Sequence, residues 1–305
     1  MDMRQRRPVE LRHARRGTEV FRILIANCLD QVLANASILA QGHVDDDVVH
    51  QLRIGIRRLR TIWRELPHWH GRLGAQWEPA LAGLFRTLGE LRDRKTVVAA
   101  MQAELVASGS PDPELHAGPG YIPTDPVAAV RSAGVQQALL DLRQFVMLAE
   151  AAVSASPEAD NAAPDGDAVS EIADRLEDLH AKLRRNAKRF DRFDELRRHR
   201  ARKQLKRLRY LSELTRALFK RGAVERYLEH LQTAQDEVGR YMDLVVAEQI
   251  ARQDAQQGSA GAWFNVGWLS AKLPTAVKRC TRSLRGAASA KPYWRAALRL
   301  STRRS

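Results

Sequence analysis

Two segments space histidine and arginine for chemistry on one helix face: HQLRIGIRRLR at 50–60 and HRARKQLKRLR at 199–209. Wound at about 100° per residue, His50, Arg53, Arg57, Arg60 and Arg64 share one stripe. His199, Arg202, Lys206 and Arg209 form its counterpart, with Lys203 and Tyr210 beside it. Arg58 and Arg207 fall on a third side in both copies. Residues 53–64 hold five arginines and no acid, and residues 181–210 hold 14 Lys/Arg against Asp191, Asp194 and Glu195. Those segments carry +5 and +11 of a net charge of +14, which leaves −2 for the rest of the chain. Solvated helix faces ordinarily mix signs, because like charges at i, i+4 destabilise by roughly 0.2–0.5 kcal/mol per pair. Twin stripes of one sign predict a site stabilised by a multivalent anion.

Arginine's planar fork matches phosphate oxygens in bidentate contacts. A stripe of this length spans about 21 Å at the helical rise, so one small phosphate would leave most of it unneutralised and a polymer fits better. Single-stranded nucleic acid calls for aromatic platforms among the basic residues. The first stripe has none, because Trp63 falls on the apolar side, and the second has only Tyr210. Reading duplex DNA calls for Asn or Gln at base edges, and the stripes offer no such pair. The pattern points to phosphates without bases.

Further along the chain, Lys182, Arg185 and Arg189 recur on one helix side and either extend this site or form a solvated face. His50 and His199 open the two basic helices, either hydrogen-bonding a neighbour or contacting phosphate as imidazolium. Asp93 and Asp243 are expected to be structural, holding arginines in place. A two-metal site needs several clustered carboxylates, which these segments lack. No GxxxxGK[ST] loop is present. The expectation is a non-catalytic binder with no catalytic residue, metal or cofactor. The alternatives are a metal-dependent polyphosphate- or nucleotide-processing enzyme and a general RNA or DNA binder.

The elements that must position these residues are helical. Helical periodicity covers most of the 305 residues, in segments at roughly 9–41, 46–69, 74–107, 125–153, 168–194, 196–220, 222–257 and 259–286. A basic tail at 1–8, a first four-helix half at 9–153, a linker at 154–167, a second half at 168–298 and a basic tail at 299–305 follow from the breaks. Glycines in HWHGRLG and KRG read as helix ends, and the arginines from Arg4 to Arg16 read as a disordered tail. The His-Arg segments repeat at an offset of 149, and LGELRD (88–93) and VGRYMD (238–243) repeat at 150, which predicts a duplicated four-helix unit. Trp263, Phe264 and Trp268 are expected in the core. Cys28 and Cys280 suggest neither a disulfide framework nor a metal site. No run of about 18 apolar residues is present, and the start lacks the pattern of a targeting segment, so no membrane span and a cytoplasmic protein are expected.

VHQLRIGIRRLR, LGELRD, HRARKQLKRLRY, LQTAQDEVGRYMD and the closing GWLSAK with PYWR together resemble the CHAD family, histidine-marked α-helical domains. The likeness runs from about residue 10 to 298. It implies an all-α protein of two pseudo-symmetric four-helix bundles around a basic central cavity. It also implies binding of inorganic polyphosphate and association with polyphosphate granules and their proteins; the residues themselves lead to the expectation of no membrane partner and disfavour nucleic acid, which stays as an alternative. By position it marks His50, Arg53, Arg57, Arg58 and Arg60, then His199, Arg202, Lys206, Arg207, Arg209 and Tyr210. The family's RDxD is RDRK here, placing Lys95 where an acid is usual, and Ala201 and Lys203 replace Leu and Ile.

Overall fold

The computed structural model describes residues 3–5, 7, 9–11, 16–70, 73–116, 125–155 and 167–301, without the side chains of 90–96, 149–155 and 299–301. Ten α-helices are present among them: α1 (Gly17–Ala40), α2 (Asp46–Glu65), α3 (Trp77–Ala107), α4 (Pro126–Arg131), α5 (Ala133–Ala155), α6 (Ala168–Arg189), α7 (Glu195–Leu214), α8 (Arg221–Gln256), α9 (Ala262–Ser289) and α10 (Arg295–Ser301). The chain is all-α; the one extended pairing among the described residues is an isolated bridge between Arg16 and Asp167.

The helices follow the periodicity closely, with four departures. The first helix starts at Gly17 rather than residue 9, and Val9 and Leu11 precede it as buried core residues. Segment 125–153 is two helices, broken at Ser132, whose ψ of 141° leaves the helical range. A tenth helix occupies part of what reads as a basic tail. The amino-terminal arginines are not uniformly a tail: the Arg4 carbonyl accepts from Asn35 Nδ2 at 2.9 Å, and its guanidinium lies 3.5 Å from Asp30. Arg6, Arg12 and Arg15, and linker residues 156–166, lie outside the described residues. Gly42, Gly109 and Gly258, with φ of +93°, +76° and +105°, follow α1, α3 and α8, and glycine adopts that left-handed stop without a Cβ penalty.

Helix α1 packs on α2 and α5, and α3 on α5; α6 packs on α7, α9 and α10, and α8 pairs along α9. The groups meet most extensively where α2 packs on α7 and α3 on α8. One continuous apolar cluster draws on both groups, from Phe21, Leu24 and Ile56 to Leu176, Leu208 and Leu231. A second cluster gathers Met101 and Leu105 of α3, Ile250 of α8 and Leu269 of α9. Trp263 and Phe264 are a correction: at the start of α9 they are 53% and 42% exposed, while Val266 and Leu269 take the inward positions. Helix α1 is a second correction. An 18-residue window of mean hydropathy 1.5 makes it long and apolar enough, by length and composition, to cross a membrane. Its apolar residues are used here as core, with Phe21, Leu24, Ile25 and Val32 fully buried. Gly55 of α2 lets the two helices meet, since a Cβ there would stand 2.7 Å from Val32 Cγ2. Both cysteines are buried and free, and burial pushes the Cys280 thiol up to about 12, with Glu237 adding to the shift.

The groups are bolted together at Glu65, the last residue of α2, which is 1% exposed. Its carboxylate accepts from Arg175 of α6, Nη2–Oε2 2.6 Å, and from Arg207 of α7. A buried carboxylate is tolerated only when charge-assisted hydrogen bonds replace its water. Glu65→Gln keeps the shape and removes the charge, so it should lower unfolding free energy by about 2 kcal/mol, read as a reduced urea midpoint.

His180 of α6 is equally enclosed, 2% exposed, with Nδ1 2.7 Å from the Tyr227 hydroxyl and its ring edge-on to Trp294. Burial pulls its pKa down to about 4, Glu177 opposing and Arg295 and Arg184 adding to the fall. The unfolded chain binds this proton near pH 6.5 and the native state near 4, so His180 stabilises the fold above 6.5 and that stability is lost as pH falls through the window. The loss should reach about 2 kcal/mol by roughly pH 5. Urea midpoints across pH 5–7 should show the slope in the native protein and a flatter one in His180→Gln.

Candidate anion-binding site

Both basic helices begin on an aspartate cap. Asp45 Oδ1 accepts from the backbone N–H of Asp47 at 2.7 Å and of Val48 at 3.3 Å, and Asp194 Oδ1 accepts from Arg197 N at 2.7 Å. These caps are themselves 149 residues apart, so the repeat includes the helix start. On α2, Leu52, Ile56 and Leu59 are fully buried; on α7, Leu205 and Leu208 are. The apolar sides fix each helix's rotation and turn the histidine-led stripes away from the core.

The stripe on α2 is organised by a ring that its own sequence does not contain. Phe85 of α3 has the guanidinium carbons of Arg53, Arg57 and Arg60 at 5.0, 4.9 and 5.9 Å from its centroid. Cation–π attraction of about 0.5–2 kcal/mol each offsets part of their mutual repulsion. Arg53 is 6% exposed and donates from Nη1 to the Leu88 carbonyl at 2.9 Å. Gly89 permits that approach, because a Cβ there would lie 2.9 Å from Arg53 Nη1. Gly239, its match in the second repeat, has open space at the same place. Arg57 crosses to α7, donating to the Tyr210 hydroxyl at 3.0 Å and lying 5.8 Å from that ring's centroid. This contact brings the two stripes to one seam.

Several residues with site roles in the sequence reading are engaged elsewhere. Arg58 is 5% exposed and turns to α1, donating to Gln31 Oε1 at 2.9 Å and Asn27 Oδ1 at 3.1 Å. Arg207, its repeat mate, reaches Glu65 instead. Arg60 and Arg64 share Glu78 of α3, at 2.8 and 2.7 Å, and Arg209 pairs with Glu213 at 2.9 Å. Burial would raise the Glu78 carboxyl, but the hydrogen bonds and charges of the two arginines outweigh it and hold it below the usual carboxylate range. The acid-free appearance of the first stripe is therefore corrected at its C-terminal end.

On α7, His199, Arg202 and Lys206 are half-buried, Lys203 is exposed and Tyr210 is 8% exposed. Burial depresses the His199 pKa, and Lys203, Arg202 and Lys206 push it further the same way. His50 is half-buried, as is Lys182 on α6, while Arg185 and Arg189 are exposed. Asp243 is half-buried on α8; the Asp93 side chain lies outside the described residues. Among the described residues no three His, Cys, Asp or Glu side chains converge as metal ligands. Arg198 donates to the Tyr241 hydroxyl at 2.7 Å and to the Phe190 and Asp191 carbonyls, closing the end of α6.

These features define first an all-α protein with two cationic helices at the junction of its helix groups. The family model for the CHAD domain matches residues 23–252, from within α1 into the last turns of α8, and the chain belongs to that family. A crystal structure of the CHAD domain from the plant Ricinus communis is similar in fold, with a TM-score of 0.69 and 23% identity over 93% of this chain and 96% of that one. No curated protein matches the chain.

His199 supplies a direct probe of the seam. Its depressed proton affinity means that an anion bound beside it raises the pKa, so binding takes up a proton and strengthens as pH falls through the interval between free and bound values. In an NMR titration the His199 ring should titrate below 6.5 in the free protein and shift upward on adding tripolyphosphate. An unchanged midpoint at saturation would place the anion away from α7.

Proposed function

We propose that this protein binds inorganic polyphosphate without turning it over, through the paired stripes of α2 and α7, and acts at polyphosphate granules in the cytoplasm. The reading rests on the meeting of the stripes at Arg57 and Tyr210, which gives an extended anion cations from both helices. Membership of the CHAD family, whose domains are associated with polyphosphate binding, supports it. The cations best placed for phosphate are Arg57, His199, Arg202, Lys203 and Lys206, with His50 at the far end of the first stripe. Arg53, Arg58 and Arg207 act mainly in positioning, being committed to Leu88, to Gln31 and Asn27, and to Glu65. The aromatic ring at the α2 stripe, Phe85, is occupied by guanidiniums, which favours phosphate over stacked bases. The same reading takes the helix groups as a duplicated unit, supported by the shared offset of caps and histidines. Granule-associated proteins would be further partners.

Calorimetric titration with long-chain polyphosphate, at ~0.15 M salt with RNA and single-stranded DNA as competitors, tests this. Polyphosphate should bind tightly and resist displacement, and Arg57→Glu/Lys206→Glu should weaken it by about 100-fold or more, two charge-assisted contacts being lost and reversed. Displacement by RNA at equal phosphate concentration would make the protein a general polyanion binder. Shortening of the polymer with Mg²⁺, abolished in Asp243→Ala, would replace the non-catalytic reading by an enzymatic one.

A further inference from the structure

A second cavity, of about 730 Å³, lies between the start of α8 and the turn that joins α9 to α10. That size falls in the range of small-molecule sites. Its floor includes Tyr227 and Tyr293, whose rings meet edge-to-face at 5.5 Å, with Trp294 at 5.0 Å from the first and 4.8 Å from the second. The Tyr227 hydroxyl is bonded inward to His180 and that residue is 1% exposed, so the open apolar surface of the floor is the half-buried Tyr293 ring with Ala223, Ala290 and Ala296. The rim carries three Lys/Arg side chains and a histidine. Arg226 and His230 stand four residues apart on α8, and Lys291 and Arg295 face them from the turn; all four are exposed. Arg295 is held in place by Glu177, Nη2–Oε1 2.9 Å, which also accepts from Trp294 Nε1 at 2.9 Å. No acidic residue lines this cavity among the described residues. A smaller one, of about 380 Å³, makes the contrast: its lining mixes Arg7, Arg58, Arg209 and Arg216 with Glu213, Glu225 and Glu229, and Arg209 pairs with Glu213 there.

We propose that the α8–α10 cavity is a separate binding site for a nucleoside monophosphate, the phosphate at the Arg226/Lys291 rim and the flat base against Tyr293 and the apolar floor beside it. A phosphomonoester carries about −1.5 to −2 charge near pH 7, which matches the rim cations Arg226 and Lys291, Arg295 being paired with Glu177. The apolar floor needs a flat body that inorganic phosphate lacks.

Adenosine 5′-monophosphate is the probe, titrated by calorimetry beside adenosine and inorganic phosphate. AMP should bind at least about 10-fold more tightly than either, and Arg226→Glu and Lys291→Glu should each weaken it by about 10-fold, the worth of one charge-assisted contact. Both positions are exposed, so an unchanged urea midpoint checks that the fold is kept. The Arg57→Glu/Lys206→Glu variant should retain AMP affinity, and Lys291→Glu should retain polyphosphate affinity, which separates this site from the α2–α7 seam. Absence of heat with millimolar AMP, equal binding of inorganic phosphate, or loss of AMP binding in the Arg57/Lys206 variant alone would each overturn the proposal.

Discussion

The organising constraint is electrostatic: two helices rich in like charge pack against each other, α2 on α7, at the junction of the helix groups. Coulomb repulsion between unit charges at contact distance is several kcal/mol at the effective dielectric of a protein surface, so the pairing needs built-in compensation. Glu65 provides the most enclosed part of it, taking one arginine from α6 and one from α7 with no exposure of its own side chain. Breaking a pair of this kind leaves charge stranded, which is why its placement at the end of α2 couples the integrity of one group to the other.

Around that bolt the remaining cations are divided between two tasks. Arg53 and Arg58 serve the fold, one satisfied by a main-chain carbonyl and a phenyl face, the other by two side-chain amides of α1. Arg60 and Arg64 are quieted by Glu78. On α7, burial first and then Lys203, Arg202 and Lys206 disfavour the proton on His199.

The two basic segments correspond in what builds their helices and differ in what their side chains do. Aspartate caps, the inward leucines and the leading histidines correspond. Arg58 and Arg207 correspond in sequence yet point to different helices, and Gly89 receives a guanidinium where Gly239 receives nothing. Equivalent positions therefore do not carry equivalent roles, and the two stripes are complementary parts of one seam.

The sequence by itself determined the helices, their apolar sides and the concentration of charge at two segments, because 3.6-residue periodicity, capping and like-charge clustering are local properties of the chain. It placed His50, Arg57, His199, Arg202 and Lys206 on stripes for the same reason. What the tertiary structure alone decided is which arginines are spent. Phe85, Glu78, Glu65 and Gln31 lie on other helices or at a helix end, and their contacts with the basic residues reach across sequence separations from 14 to 142 residues that no local spacing records. The start of α1 at Gly17 and the burial of Val9 and Leu11 are of the same kind. A helical pattern states that a segment can wind, whereas the packed core around it decides where winding stops and which apolar side chains are enclosed.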